Sequence, residues 1–257
     1  MSSSEKRKQV IQQLIDTEAL VKVSELAKEF DVSEMTVRRD LSELEKIGLL
    51  RRTHGGAVKE VSRSYEPPFS LRQTKYSHEK KLIAREAVKF ISEGDTIVID
   101  SGTTSIALAI ELLKLNHITV ITPSIHTAML FCDHPGIKVL VSGGILRHGE
   151  GSLVGEFSRQ FFEQLYFDTF FLSPAGISEE TGLTEYIVED AAIKQIIQSH
   201  AKKTIALVTS DKFEKTAFSR ICPLEDIDIL ITDREPDAKL HTALNENHIE
   251  LCCAQQE

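Results

Sequence analysis

Apolar positions recur at two different periods along the chain, and the change of period divides it. Val10, Ile11, Leu14 and Ile15 stand at helical spacing and predict a first helix over 6–15. Val21 and Val23 bracket a short strand, after which Ser24 is placed to cap a second helix over 25–30 that hides Leu26, Ala27 and Phe30. Asp31-Val32-Ser33 predicts a tight turn, and Ser33 a cap for a longer helix over 34–47 that buries Val37, Leu41, Leu44 and Ile47 and stops at Gly48. Two short extended pieces follow over 49–58, around Arg51, Arg52 and His54. Residues 58–77 lose all period and carry Pro67-Pro68 and several serines, which predicts a linker. Ser77 then caps an expected helix over 78–92, with Leu82, Ile83, Ala87, Val88 and Ile91 as its stripe and Gly94 as its stop. Beyond it, β-branched runs at 96–100, 118–122, 137–141, 169–172, 204–209 and 227–232 alternate with helical patterns at 105–113, 125–131 and 189–200. That alternation predicts an α/β domain with a mostly parallel sheet covered on both faces. The expected organisation is a winged helix-turn-helix over 1–58, a linker over 59–77 and the α/β domain over 78–257.

Composition narrows the class. The 257 residues are 41% hydrophobic and 27% charged, which suits a globular chain with a real core. No apolar run reaches the roughly 18 residues a membrane span needs, and the polar start lacks the apolar centre of a secretory signal, so a cytoplasmic protein is expected. Cys132, Cys222, Cys252 and Cys253 form no metal-ligand spacing and read as buried reduced thiols, with no metal and no cofactor expected. The net charge of −9 argues against a nucleic-acid partner only until it is divided along the chain. Residues 1–62 hold 11 basic and 11 acidic side chains, and the remainder supplies the whole −9. A neutral segment with clustered arginines can dock on DNA while an acidic remainder stays away from it.

Two helices joined by a three-residue turn have the layout of a helix-turn-helix, whose second helix enters the major groove. Ser33, Thr36, Arg38 and Arg39 lie in its N-terminal half, and Arg51, Arg52 and His54 follow in the wing. A helical mini-domain with solvated arginines is the plainer alternative. In the α/β half, the loops after the strands share one chemistry. Asp100-Ser101-Gly102-Thr103-Thr104 runs from a strand into a helix, so glycine, hydroxyls and free helical N–H groups converge where an anion could sit. The same spacing also describes a simple capped turn. Ser124, Gly143-Gly144 with Arg147, the loop ending at Gly176, Thr184-Glu185 and Lys212 stand at or just after other strand ends. Together they point to a pocket for an anionic small molecule.

Glu25-Leu-Ala, Val32-Ser33, Thr36-Val-Arg38-Arg39-Asp40-Leu41, Leu44-Glu45, Gly48 and His54-Gly55-Gly56-Ala57 resemble the N-terminal signature of DeoR-type bacterial transcription regulators. Asp100-x-Gly-Thr-Thr104, Gly143-Gly144, Gly151-Ser152, Gly155, Gly182-Leu-Thr184 and Lys212-Phe213 continue the likeness through the second half. The resemblance implies operator contacts from Thr36, Arg38 and Arg39, an effector domain similar to ribose phosphate isomerases, and a phosphorylated sugar as effector. Asp40 would repel phosphate on such a helix, so it is expected to pair with an arginine or fix the helix. Pro123-Ser124, Ser173-Pro174 and Thr209 depart from the family pattern and bear on ligand choice. The resulting expectation is a repressor of carbohydrate genes, working as a homo-oligomer (dimer or tetramer) with no catalytic residue. The alternative is a sugar-phosphate isomerase with an accessory DNA-binding head. Isomerisation needs a carboxylate base, which 173–176 lacks and which Glu185 or Asp211 would have to supply.

Overall fold

The structure, a computed structural model, describes residues 3–18, 20–46, 50–59 and 62–254. It divides into two compact units, Met1–Pro67 and Pro68–Glu257.

The first unit runs α1 (Ser3–Glu18), β1 (Leu20–Lys22), α2 (Val23–Glu29), α3 (Glu34–Lys46), β2 (Leu50–Arg52) and β3 (Gly56–Lys59). Ile11, Ile15, Val21, Leu26, Val37, Leu41, Leu44 and Leu50 form its core. The apolar spacing of three helices thus closes one small interior. β1, β3 and β2 form an antiparallel sheet in that order, the wing. Ser24 does not cap α2, which begins at Val23 after extended Lys22, because the strand and helix abut with no intervening turn. Ser33 does cap α3, accepting a hydrogen bond from the Thr36 N–H at 3.2 Å. Ile47, Gly48 and Leu49, expected at the helix end and wing start, lie outside the described residues.

The second unit opens inside the expected linker, where 69–74 form helix α4 (Phe69–Thr74). α5 (Ser77–Val88) follows a left-handed Tyr76, so Ser77 is its first helical residue and not its cap, and it ends six residues before Gly94. Then come β4 (Thr96–Ile99), α6 (Thr103–Leu112), β5 (Ile118–Thr122), α7 (Ile125–Leu130), β6 (Ile137–Val141), β7 (Ile145–Leu146), β8 (Leu153–Val154), α8 (Glu156–Glu163) and β9 (Phe167–Leu172). After these run β10 (Gly176–Ser178), β11 (Gly182–Glu185), α9 (Val188–His200), β12 (Ala201–Val208), β13 (Ser219–Cys222), β14 (Ile229–Thr232), α10 (Ala238–Glu246) and β15 (Glu250–Cys253). β15, β14, β12, β9, β4, β5 and β6 form one parallel sheet in that order. Alternate residues feed two cores: Val98, Phe170, Leu172, Ala206 and Leu230 pack with α9 and α10, while Ile97, Ile99, Phe171, Ile205 and Ile231 pack with α5 and α6. This is the two-sided burial that continuous β-branched runs require. Residues 176–178 and 182–185, expected as loops, pair with β13 as a second, antiparallel sheet. Cys222 is buried as expected, whereas Cys132 is exposed.

The strand order locates the place where a ligand should sit. The chain leaves β4 outward through β5 and β6, then returns to β9 on the other side of β4 and proceeds outward through β12, β14 and β15. The order reverses between β4 and β9, and in open α/β sheets ligands bind beyond the carboxyl ends of the strands at such a reversal.

Candidate functional site

In the first unit the candidate residues are surface groups. Arg38, Arg39, Arg51, Arg52 and His54 are exposed, and Thr36 is half-buried with its hydroxyl 2.9 Å from that of Ser33. Ser33 uses its oxygen on the cap, so its part in the interface is to fix the start of α3. Arg38 leans on Glu34 at 3.3 Å, one turn back, an exposed pair that DNA phosphate can replace. Arg52 ties the wing to the helix, its backbone N–H donating to Glu45 at 2.8 Å and its guanidinium lying 3.2 Å from the same carboxylate. Asp40 is buried and binds Arg7 of α1 at 2.5 Å, which holds Arg7 above the ordinary arginine range through that hydrogen bond. Asp40 therefore locks α3 to α1, in line with the role the sequence suggested.

In the second unit, the loops after β4 and β9 meet at the strand-order reversal. Gly102 adopts φ +129, a conformation favouring glycine, and lets the loop pass Ser173 before α6 begins at Thr103. Thr103, Thr104 and Ser105 are buried in the first turn of α6, and the Thr104 and Ser105 hydroxyls make no hydrogen bond among the described residues. A buried hydroxyl at a helix N-terminus with no partner is an unused donor, and an anionic oxygen is an acceptor of the kind it lacks. Ser101 donates its N–H to Asp100 at 2.7 Å.

Asp100 itself does not face an anion unshielded. The Lys194 ammonium, from α9, lies 2.8 Å from Asp100 and 2.6 Å from Glu185 and donates to the Ser173 carbonyl at 3.0 Å. All three charged groups are buried. Burial drives Asp100 up to about 6 despite the opposing ammonium. Burial also acts against charge on Lys194, but the two carboxylates outweigh it and hold Lys194 above the ordinary lysine range. Glu185 feels the same desolvation, yet Lys194 and the Tyr186 N–H keep it below its usual value. Both carboxylates are thus committed to an internal ion triad, and Asp211 accepts from Thr209 at 2.7 Å with Lys215 3.6 Å away.

Cations line the other side. Lys212, half-buried in the short turn Ser210–Lys212, donates to the Pro174 carbonyl at 2.6 Å. Desolvation outweighs the attraction of Asp211 and Glu185 and, with added repulsion from Arg72 and Lys194, lowers it to about 8. Lys80, buried on α5, is likewise lowered to about 8 by burial and by Lys212. Arg147 pairs with Asp190 of α9.

The remaining candidates stand at turns, caps and close approaches. Thr184 accepts from the Ala217 N–H at 2.9 Å, and Ser124 caps α7 at Thr127. Gly144 and Gly176 provide close backbone approach, since a Cβ would fall 2.5 Å from the Val154 carbonyl and 2.2 Å from that of Lys215. Gly143 is exposed at the turn before β7. Sequence reasoning missed Lys194, Lys80 and Arg72. The signal for the first two was present: Lys80 heads the stripe Ile83, Ala84, Ala87, and Lys194 lies between Ala191 and Ile197 on the buried face of α9. A lysine on an apolar stripe demands buried partners.

The DeoR-like helix-turn-helix domain matches residues 7–62 and the DeoR C terminal sensor domain residues 75–234. The lactose phosphotransferase system repressor of Staphylococcus epidermidis is 35% identical over 228 residues, covering 87% of this chain and 89% of its own. The glycerol-3-phosphate regulon repressor of Escherichia coli is 30% identical over 239 residues, covering 93% and 94%. Ribose 5-phosphate isomerase A of Methanocaldococcus jannaschii is a partial structural likeness with a TM-score of 0.41, 19% identity and coverage of 54% and 55%.

Proposed function

The chain belongs to the DeoR family of DNA-binding transcription regulators, and from that premise we propose that it represses carbohydrate genes under the control of a phosphorylated sugar or polyol held at the β4–β9 reversal. The observation that carries this reading is the Lys194 triad. By binding both Asp100 and Glu185 it offsets one of their two charges, which lessens the repulsion a phosphate would meet, and it engages the carboxylates that could serve as a base. What the pocket then offers is the N-terminus of α6, the Thr104 hydroxyl and the ammonium of Lys212, a donor set for an anion. The regulators it resembles include repressors named for glycerol 3-phosphate and for a lactose phosphotransferase system. Regulation without turnover follows from the same chemistry.

On the DNA side, α3 lies in the major groove, Arg38 and Arg39 contact base edges or phosphates, and Arg51 and His54 reach the flanking backbone. One helix of 13 residues reads few base pairs, so two copies on repeated half-sites are required, in the cytoplasm where the chromosome is. The test is a thermal-shift screen of sugar and polyol phosphates, followed by operator binding with and without the best of them. A compound that stabilises the protein and changes operator affinity supports the reading. Solvent deuterium entering that compound in the protein's presence would favour the isomerase instead.

A further inference from the structure

Helix α4, in the stretch expected to be a plain linker, is wired into the sensor unit. It packs against α6, the helix that opens at the cradle. The Phe69 ring stacks on His126 of α7 with centroids 4.6 Å apart. The Arg72 guanidinium donates to Glu150, a buried carboxylate, and the Arg72 and Lys75 carbonyls accept from the Lys80 ammonium. Glu150 sits in the turn that also holds Arg147, and Arg147 pairs with Asp190 one helical turn before Lys194. Two ion pairs, joined through the 147–150 turn, therefore run from α4 to α9, whose Lys194 binds Asp100 at the cradle.

Three cations, Arg72, Lys80 and Lys212, are gathered here, and each of the two lysines feels the positive charge of Arg72. Among the carboxylates facing them are Glu150, on Arg72, Glu79 near Lys80, Glu185 near Lys212, and Asp211, which accepts from Thr209. A phosphate dianion carries twice the charge of Glu150 and can take a guanidinium in a bidentate grip. α4 is six residues long with no buried residue, too short to persist without its contacts. It starts directly after Pro67-Pro68, whose fixed backbone passes a reorientation along the chain and does not absorb it.

We propose that Arg72 is a ligand of the effector's phosphate and that occupancy of the sensor reaches the DNA-binding unit through it: the phosphate takes the guanidinium from Glu150, and α4 leaves its seat. This rests on the sugar-phosphate reading above. Before binding, the Arg72–Glu150 pair holds α4 against the unit. After binding, the pair is broken and α4, which follows the DNA-binding unit in the chain, moves.

The experiment uses the full chain with four probes: glycerol 3-phosphate, glucose 6-phosphate, fructose 1-phosphate and inorganic phosphate. Affinity is measured by calorimetry, backbone exchange of residues 69–74 by mass spectrometry, and DNA affinity on a site selected from a random pool. Glu150→Gln removes the competitor, so the probe that binds wild type best should bind it about tenfold more tightly, a gain that misfolding cannot produce. The same variant should show ligand-like exchange in α4 and ligand-like DNA affinity before any probe is added. Arg72→Gln should bind that probe at least about tenfold more weakly, with Arg72→Lys between it and wild type. If wild type binds a probe but Glu150→Gln binds it no better, or α4 exchange does not rise on binding, this inference is overturned while the sugar-phosphate reading stands. If none of the four binds wild type, this inference falls, and the wider sugar-phosphate screen decides the reading it rests on.

Discussion

The two units of this chain use charge in opposite ways. In the DNA-binding unit the cations proposed to meet DNA lie on the outside of α3 and the wing, and Asp40, the one buried carboxylate among that unit's described residues, fastens α3 to α1. In the sensor unit the charges singled out are inside: Lys194, Asp100 and Glu185 form a buried triad, and Lys80 is buried against the Arg72 and Lys75 carbonyls. An exposed arginine costs little to keep and acts only when a partner arrives. A buried triad must be complete before any ligand appears, because each charge is tolerable only with the others in place. The DNA unit should therefore lose function without losing stability when its charges are removed, and the sensor unit should lose stability first.

Lys194→Met gives the largest break in that contrast. It strands two buried carboxylates, and removal of one member of a buried ion cluster costs about 3–5 kcal/mol. Urea unfolding should show the loss in the sensor unit, and a stability within about 0.5 kcal/mol of wild type would end the claim that the triad holds the cradle.

The pH dependence of effector binding comes next. Lys80 and Lys212 both titrate near 8 in the empty protein. A bound phosphate favours their charged forms, so binding takes up protons where they have begun to lose them. Affinity should be level from about pH 6.5 to 7.5 and fall above 8, by up to about tenfold per pH unit for each deprotonated lysine. Below pH 6 two changes oppose each other: the phosphate becomes a monoanion, while Asp100, raised to about 6, loses its negative charge. Calorimetry in buffers of different ionisation heat measures the uptake, and affinity that rises from pH 8 to 9 would contradict the cationic pocket.

Arg38→Ala and Arg39→Ala are the smaller counterpart. Each should weaken operator binding by about 1–3 kcal/mol if it reads a base, or lower the salt slope by about one if it touches phosphate. Melting should be unchanged within about 0.5 kcal/mol. Unaltered DNA affinity in a folded double variant would remove α3 as the recognition helix.

The same contrast explains what the sequence could show. The helix-turn-helix was legible because its turn, the Ser33 cap, the stripe Val37-Leu41-Leu44 and the wing are all local patterns. The parallel sheet was legible from its β-branched runs, and the Asp100–Thr104 loop from its glycine and hydroxyls. The triad was not, because Asp100, Glu185 and Lys194 come from three separate elements and meet only through sheet order. Helix α4 was invisible for a different reason: with no buried residue it leaves no apolar stripe, and its anchors Phe69 and Arg72 find partners at His126 and Glu150, far along the chain.

Thr104 tests the central claim most directly, because stability and function should move apart there. Its hydroxyl is buried without a partner among the described residues, so Thr104→Val removes an unsatisfied group at nearly constant shape. The variant should be as stable as wild type or more so, by up to about 1 kcal/mol. Operator affinity is to be measured for both proteins with and without the sugar phosphate that most stabilises wild type. The account predicts equal affinity without the compound, a change on adding it to wild type, and no change for Thr104→Val. A variant that binds DNA normally and still responds fully to the compound would contradict it.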